Sequence, residues 1–412
     1  MLTEKEKLDS LTRLGVELNQ INDLDILMER VLTRARQFVN ADAGSIYIRN
    51  KQWLHFTYTQ NETLQNKLPR GEKLVYSTFK IPIDEKSIAG YVAATGQALN
   101  IPDVYRLEAT LPYKFSKRFD QTAGYRTVSI LTVPLTIATG DILGILQIIN
   151  ARDENGRITT FTKTDEKMMF HFAGIAAVAL ERAQMTRALI LRMIRMAEMR
   201  DPKETGAHVN RVAGFSVEIY EQWAVRRQLN QKEIDKSRDI LRMAAMLHDV
   251  GKVATSDVIL KKPDRLSKDE YQIMKQHTIQ GARLFENRQS DFDEAAGIVA
   301  LNHHEHWDGT GYPGHVDPST GSPLQGFELP NGEARGKKGR EIPLFGRIVA
   351  LADVFDALSS RRSYKEPWDE SKILKQIEME SGRHFDPELV EIFFNRLDVI
   401  RSIQARYRDE ED

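Results

Sequence analysis

Leu8, Leu11, Leu14 and Leu18, then Leu24, Leu27, Val31 and Ala35, recur every three or four residues, the spacing of an amphipathic helix. The period then changes. Residues 45–49, 54–58, 130–135 and 143–149 are short runs rich in β-branched and aromatic side chains, which predict strands. Helices interleaved with such runs over residues 1–163 predict an α+β domain with an antiparallel sheet. From 164 to 200 the pattern is helical again, with Phe170, Ala173, Ala177 and Leu180 near heptad spacing and only Gly174 as an interruption. At about 1.5 Å per residue such a helix is about 50 Å long. It suits either a parallel dimer seam between two domains or, as the plainer reading, a capping helix of the first domain followed by the first helix of the second.

Asp201-Pro202 then sets an N-cap and a first-turn proline, the start of another helix. Beyond it strand signals nearly vanish. Helical runs are predicted at 208–229, 234–247, 268–287, 295–304 and 344–360, with two more near the C-terminus, so residues 201–412 read as an all-α bundle. The exception is 309–341, rich in Gly, Pro, Asn and Lys.

Composition narrows the function classes. The 412 residues are 41% hydrophobic and 28% charged, ordinary for a folded chain of two or three domains. A formal net charge of −1 supplies no global field for a nucleic-acid polymer or an anionic membrane, so an anionic substrate has to be met locally. The chain has no cysteine, which removes disulfides, thiolate ligands and thiol nucleophiles together. The N-terminus alternates charge without an apolar core, and no apolar run reaches the ~18 residues of a membrane span. The expected location is cytoplasmic.

Nine of the ten histidines lie at or beyond His171. His248-Asp249 closes an apolar helical run, His303-His304 closes another, and Asp353 lies within a third. His208 and His277 complete the set. A lone imidazole on an apolar helix is ordinarily a core residue with one hydrogen bond. Adjacent His-Asp and His-His pairs have no such packing reason, because buried polar groups without partners are costly. Imidazole and carboxylate donors without thiolates suit first-row transition ions, and carboxylates can bridge two of them.

The segments HDVGK (248–252) and HHEHWDGTGYP (303–313), supported by HVNRV (208–212), KQH (275–277) and ADVFDAL (352–358), resemble the HD-GYP subgroup of the HD phosphohydrolases. The resemblance spans residues 199–393, and the longer segment is the specific one. It implies an HD-type helical bundle over 201–412 with metal ligation by His208, His248, Asp249, His277, His303, His304 and Asp353, Asp249 bridging. Glu204, one turn before His208, is implied as a further ligand in members that hold three ions rather than two. Asp201 and Glu204 also have capping-box spacing, the structural alternative. Two or three divalent ions, Fe or Mn first, are the implied cofactors.

The implied reaction is hydrolysis of cyclic di-GMP to pGpG, or further to GMP. Divalent ions depress the pKa of water and neutralise phosphoryl charge, so no Ser or Thr nucleophile is needed. Asp249 and Lys252 are the expected catalytic residues. Lys252, Tyr312, Arg362 and Lys365 are the expected substrate contacts, Tyr312 offering a flat face for a base. Lys252, Arg362 and Lys365 have a plainer reading as solvated charges, and Arg211 reads as a structural ion-pair partner. The GYP loop is implied as a docking surface for diguanylate cyclase (GGDEF) partners. The connection 314–341 is longer than the family's and reads as a lid or a disordered insert. His306 and His315 read as exposed.

The segment 79–105, followed by SILTVPL and ILGILQIIN, is similar to GAF domains, which bind small molecules. Asn150, Phe161, Asp165 and Glu166 match the positions of cyclic-nucleotide-binding members, but Ala151 stands where those carry Lys. The ligand is therefore unspecified, and a ligand-free dimerisation domain is the alternative. The whole reads as a GAF-like sensor (1–163), a connecting signalling helix (164–200) and a phosphodiesterase domain (201–412), expected as a homodimer. The competing functions are a catalytically silent cyclic di-GMP sensor that docks partners, and a phosphohydrolase of another nucleotide.

Overall fold

The computed structural model describes residues 4–69, 74, 79–198, 206–359 and 369–407, without the side chains of 4–10, 197 and 198. Glu204, Arg362 and Lys365 lie outside the described residues, as do Asp201 and Pro202. The chain divides into two compact units, Met1–Arg187 and Ala188–Asp412.

The first unit is built on a seven-stranded antiparallel sheet: β1 Ala41–Asn50, β2 Trp53–Asn61, β3 Lys80–Pro82, β4 Leu99–Ile101, β5 Ile130–Thr136, β6 Ile142–Arg152 and β7 Ile158–Thr159. The order is β3-β2-β1-β6-β5-β4, with β7 paired to β6. Both faces of the central strands are covered, so β1 is buried from Ala41 to Tyr47 and β5 from Ile130 to Leu135 without alternation, the polar Asp42, Ser45 and Thr132 included. Helices Glu4–Leu18 and Leu24–Phe38 pack on one face with the first half of the long helix; Leu27, Leu32, Leu146, Ile148, Phe172 and Leu180 share that core. Asp23 caps Leu24–Phe38, accepting from the amides of Asp25 and Ile26. Helix Ile88–Thr95 covers the other face.

The positions shared with nucleotide-binding GAF domains serve as internal locks. Asn150 is buried, donates to Tyr125 Oη and the Arg126 carbonyl, and accepts from the Val128 amide. Asp165 accepts from the amide and hydroxyl of Thr162, and Glu166 accepts from Asn100.

Helix Lys163–Glu198 runs unbroken for 36 residues, Gly174 included, and the division between units falls within it. Phe170, Val178, Met185, Leu189, Met193 and Met196 are exposed along it.

Among the described residues the second unit holds no named strand. Helices Gly206–Arg226, Gln231–Met246, Asp291–Asn302 and Leu344–Ser359 surround one apolar core that includes Phe215, Leu241, Val299, Phe355 and Phe393. The single helix expected at 268–287 is two, Lys268–Lys275 and His277–Arg283, hinged at Gln276. A tertiary contact explains the hinge: a Cβ on Gly251 would lie 1.9 Å from the His277 carbonyl and 2.3 Å from the Gly281 amide. Only glycine lets the turn after His248-Asp249 press against the second helix.

The connection 314–341 is neither structureless nor exposed throughout. Isolated bridges join Val316 to Pro323 and Glu328 to Ala334, and Val316 packs on Ile279, Ala282 and Leu301. His315 is not exposed as expected: its side chain is 13% accessible and stacks on Phe327 at 3.9 Å. His306 is half-buried against His384, also at 3.9 Å.

Candidate metal centre

Each imidazole is set by the helix end that carries it. His248 follows Gln231–Met246, and its Nδ1 lies 2.8 Å from the Ala245 carbonyl. His277 opens the second hinged helix with Nδ1 2.8 Å from the Met274 carbonyl. His303 caps Asp291–Asn302 with Nδ1 3.0 Å from the Ala300 carbonyl. A carbonyl only accepts, so each Nδ1 carries the proton and each Nε2 presents a lone pair. His208, in Gly206–Arg226, is held by a carboxylate: Asp356 Oδ2 lies 2.9 Å from its Nδ1.

The lone pairs converge. His277 Nε2 lies 3.1 Å and His303 Nε2 3.5 Å from Asp249 Oδ1; His248 Nε2 lies 3.3 Å from Asp249 Oδ2 and 3.8 Å from Asp353 Oδ1. His208 Nε2 is 3.7 Å from Asp353 Oδ1. Donor atoms therefore fall into two groups, Asp249–His277–His303–His304 and His208–His248–Asp353, each within 4.8 Å of one another. Asp249 reaches both. His208, His248, His277 and His303 are buried, while His304 and Asp353 are half-buried.

Two observations test whether cations fit here. His277 Nε2 and His303 Nε2 stand 3.4 Å apart although both Nδ1 atoms are engaged, so two lone pairs face each other. Buried Asp249 Oδ1 receives no hydrogen bond of good geometry, despite His277 nearby. A divalent ion relieves both. Protonation is the alternative, and burial opposes it: it lowers the basicity of His303, and that of His304 further, with His303 and His277 as like-charged neighbours. Asp249 is held well below the usual carboxylate range by Lys252 and His248, whose attraction outweighs the cost of burial. Neutral His303 and His304 beside an ionised Asp249 are the protonation states that ligation requires.

Of the expected substrate contacts, Lys252 Nζ lies 2.6 Å from Asp249 Oδ2. Tyr312 stacks on His304, ring centroids 4.8 Å apart, so the GYP tyrosine adjoins the metal centre. Gly311 permits that approach, since a Cβ there would lie 2.2 Å from the His306 amide. Arg211 is an ion-pair partner, its Nε 2.6 Å from Asp356 Oδ1.

Three supporting residues escaped the sequence reading. Asp356 orients His208, and its spacing of three from Asp353 within one apolar helix was the available signal. Glu305, buried, accepts from the amides of Gly314 and Lys337 and so ties the long connection to the HHE turn. Lys337 donates to Asn302 at 2.6 Å.

Residues 205–358 match the HD domain family, 330–389 a second HD domain family, and 23–180 the GAF domain family. The chain is 38% identical over 216 residues to a cyclic di-GMP phosphodiesterase of Thermotoga maritima, covering 52% of this chain and 50% of that protein. It is 34% identical over 224 residues to a 3'3'-cGAMP-specific phosphodiesterase of Vibrio cholerae, covering 54% and 37%. A cyclic di-GMP phosphodiesterase response regulator of Xanthomonas campestris is 29% identical over 303 residues, 70% of this chain and 72% of its own. The chain thus spans half or less of the length of the first two relatives.

Proposed function

From a chain that joins a GAF domain to an HD domain, we propose a metal-dependent phosphodiesterase that cleaves the 3'-5' phosphodiester of a cyclic dinucleotide, cyclic di-GMP first, to a linear product. The observation that carries this is the convergence of four tied-back imidazoles on two carboxylates.

His208, His248 and Asp353 would hold one cation and His277, His303 and His304 another, with Asp249 bridging. Iron or manganese suits this nitrogen and oxygen donor set. When bound, such ions supply Lewis acidity and a water of depressed pKa. The protein's share is orientation and charge. The backbone carbonyls and Asp356 fix the rings; Lys252, beside Asp249, offers its ammonium to a phosphate oxygen; Tyr312 offers its face to a base. Glu204 is the proposed ligand of a third ion, and Arg362 and Lys365 the proposed grip on the second phosphate.

The remaining assignments follow from the same architecture. The exposed apolar stripe of Lys163–Glu198 supports a homodimer, through which a small molecule in the GAF domain would regulate hydrolysis. The GYP loop is the proposed contact for a GGDEF partner.

Chromatography of products from metal-loaded protein tests this. Cyclic di-GMP should give pGpG, and a chelator should abolish the product. Turnover of 3'3'-cGAMP in its place favours the activity named for the Vibrio relative. Tight cyclic di-GMP binding without turnover favours a silent sensor.

A further inference from the structure

A lysine held between two tyrosines borders the metal centre. Lys275 Nζ lies 5.1 Å from the ring centroid of Tyr271 and 5.3 Å from that of Tyr312. The two rings meet edge to face at 6.3 Å, and Tyr312 in turn stacks on His304. Tyr271 is 46% exposed, so part of its ring surface is open to solvent. No carboxylate among the described residues lies within ion-pair distance of Lys275 Nζ, and the protein groups that face its charge there are the two tyrosine rings.

The cations would neutralise the phosphate being cleaved. A cyclic dinucleotide carries a second phosphate and a second base that those ions do not reach. An unpaired ammonium beside an open aromatic face offers the two kinds of contact that half needs, donors to a phosphate oxygen and a surface on which a purine stacks. We propose that Tyr271 and Lys275 form a rim subsite for the half of the dinucleotide distal to the scissile bond, and so select dinucleotides over smaller phosphodiesters. The inference rests on the phosphodiesterase reading above. It is separate from Arg362 and Lys365, which come from another segment of the chain.

The test compares full-length metal-loaded wild type, Tyr271→Ala and Lys275→Met on cyclic di-GMP and on bis(p-nitrophenyl) phosphate, which has no second nucleotide. Stacking on this scale corresponds to about a tenfold loss. The expected result is a KM for cyclic di-GMP raised about tenfold in each variant, with bis(p-nitrophenyl) phosphate hydrolysis within about twofold and metal content unchanged. Equal loss on both substrates marks a structural role and overturns the subsite, as does no change on either. Should the wild type cleave neither substrate, the phosphodiesterase reading fails by itself. Equilibrium binding of pGpG then decides the subsite: about tenfold weaker in both variants supports it, and equal affinity refutes it.

Discussion

Asp356 Oδ2 accepts from His208 Nδ1 at 2.9 Å, and Arg211 clamps the same carboxylate through Nε and Nη2. A carboxylate behind a ligating imidazole fixes its tautomer and raises its basicity.

Replacing Asp356 with Asn keeps the shape and removes the charge. Affinity for the ion at His208, His248 and Asp353 should fall about 10- to 100-fold, measured by competition with a metal-binding dye. Asp356→Ala also removes the buried carboxylate that faces the Arg211 charge and should cost about 3–5 kcal/mol of stability, read from denaturant unfolding. A variant that keeps wild-type metal affinity removes Asp356 from this role.

Gly251→Ala forces a Cβ against the His277 carbonyl and the Gly281 backbone, neither of which is a flexible side-chain end. The hinged helix must shift, carrying His277 away from Asp249. Loss of about 2 kcal/mol or more is expected, together with loss of metal. Thermal unfolding and metal analysis on one preparation check both.

Much of this site was legible in the sequence. His-Asp and His-His adjacency on apolar runs announces polar groups that a core does not want, and the seven described ligand candidates do converge. What supports them was not legible. Asp356 finds Arg211 145 residues away, a pairing no local pattern records. The break at Gln276 has no Gly or Pro at the hinge, because its cause is Gly251 packing from a different segment. β3, β4 and β7 hold two or three residues each, too few for a period to register. The long connection looked structureless because its order comes from Glu305 and from isolated bridges rather than from any repeat.

His384 offers a pH prediction. Burial, reinforced by repulsion from His306, lowers its pKa to about 4. The unfolded chain, with a value near 6.5, therefore binds the proton first as pH falls. The stability that neutral His384 contributes is complete above about pH 6.5, is lost progressively down to about pH 4, and amounts to about 3 kcal/mol at most. His384→Gln should flatten the wild-type fall in stability between pH 7 and 5, measured by denaturant unfolding across that range. Parallel curves would remove His384 from the effect.

Removing metal should destabilise the second unit selectively. Lone pairs 3.4 Å apart on His277 and His303 are tolerated poorly without a cation between them. Ion at about a thousandfold over its Kd adds about 4 kcal/mol. Differential scanning calorimetry should show one transition moving with chelation and the transition of the first unit staying in place.

The most direct measurement is metal stoichiometry of reconstituted wild type beside Asp249→Ala. Two or more transition-metal ions per wild-type chain, falling below one when the shared carboxylate is removed, is the expected result. No bound ion in the wild type, or the same stoichiometry in both proteins, would contradict a centre assembled around Asp249.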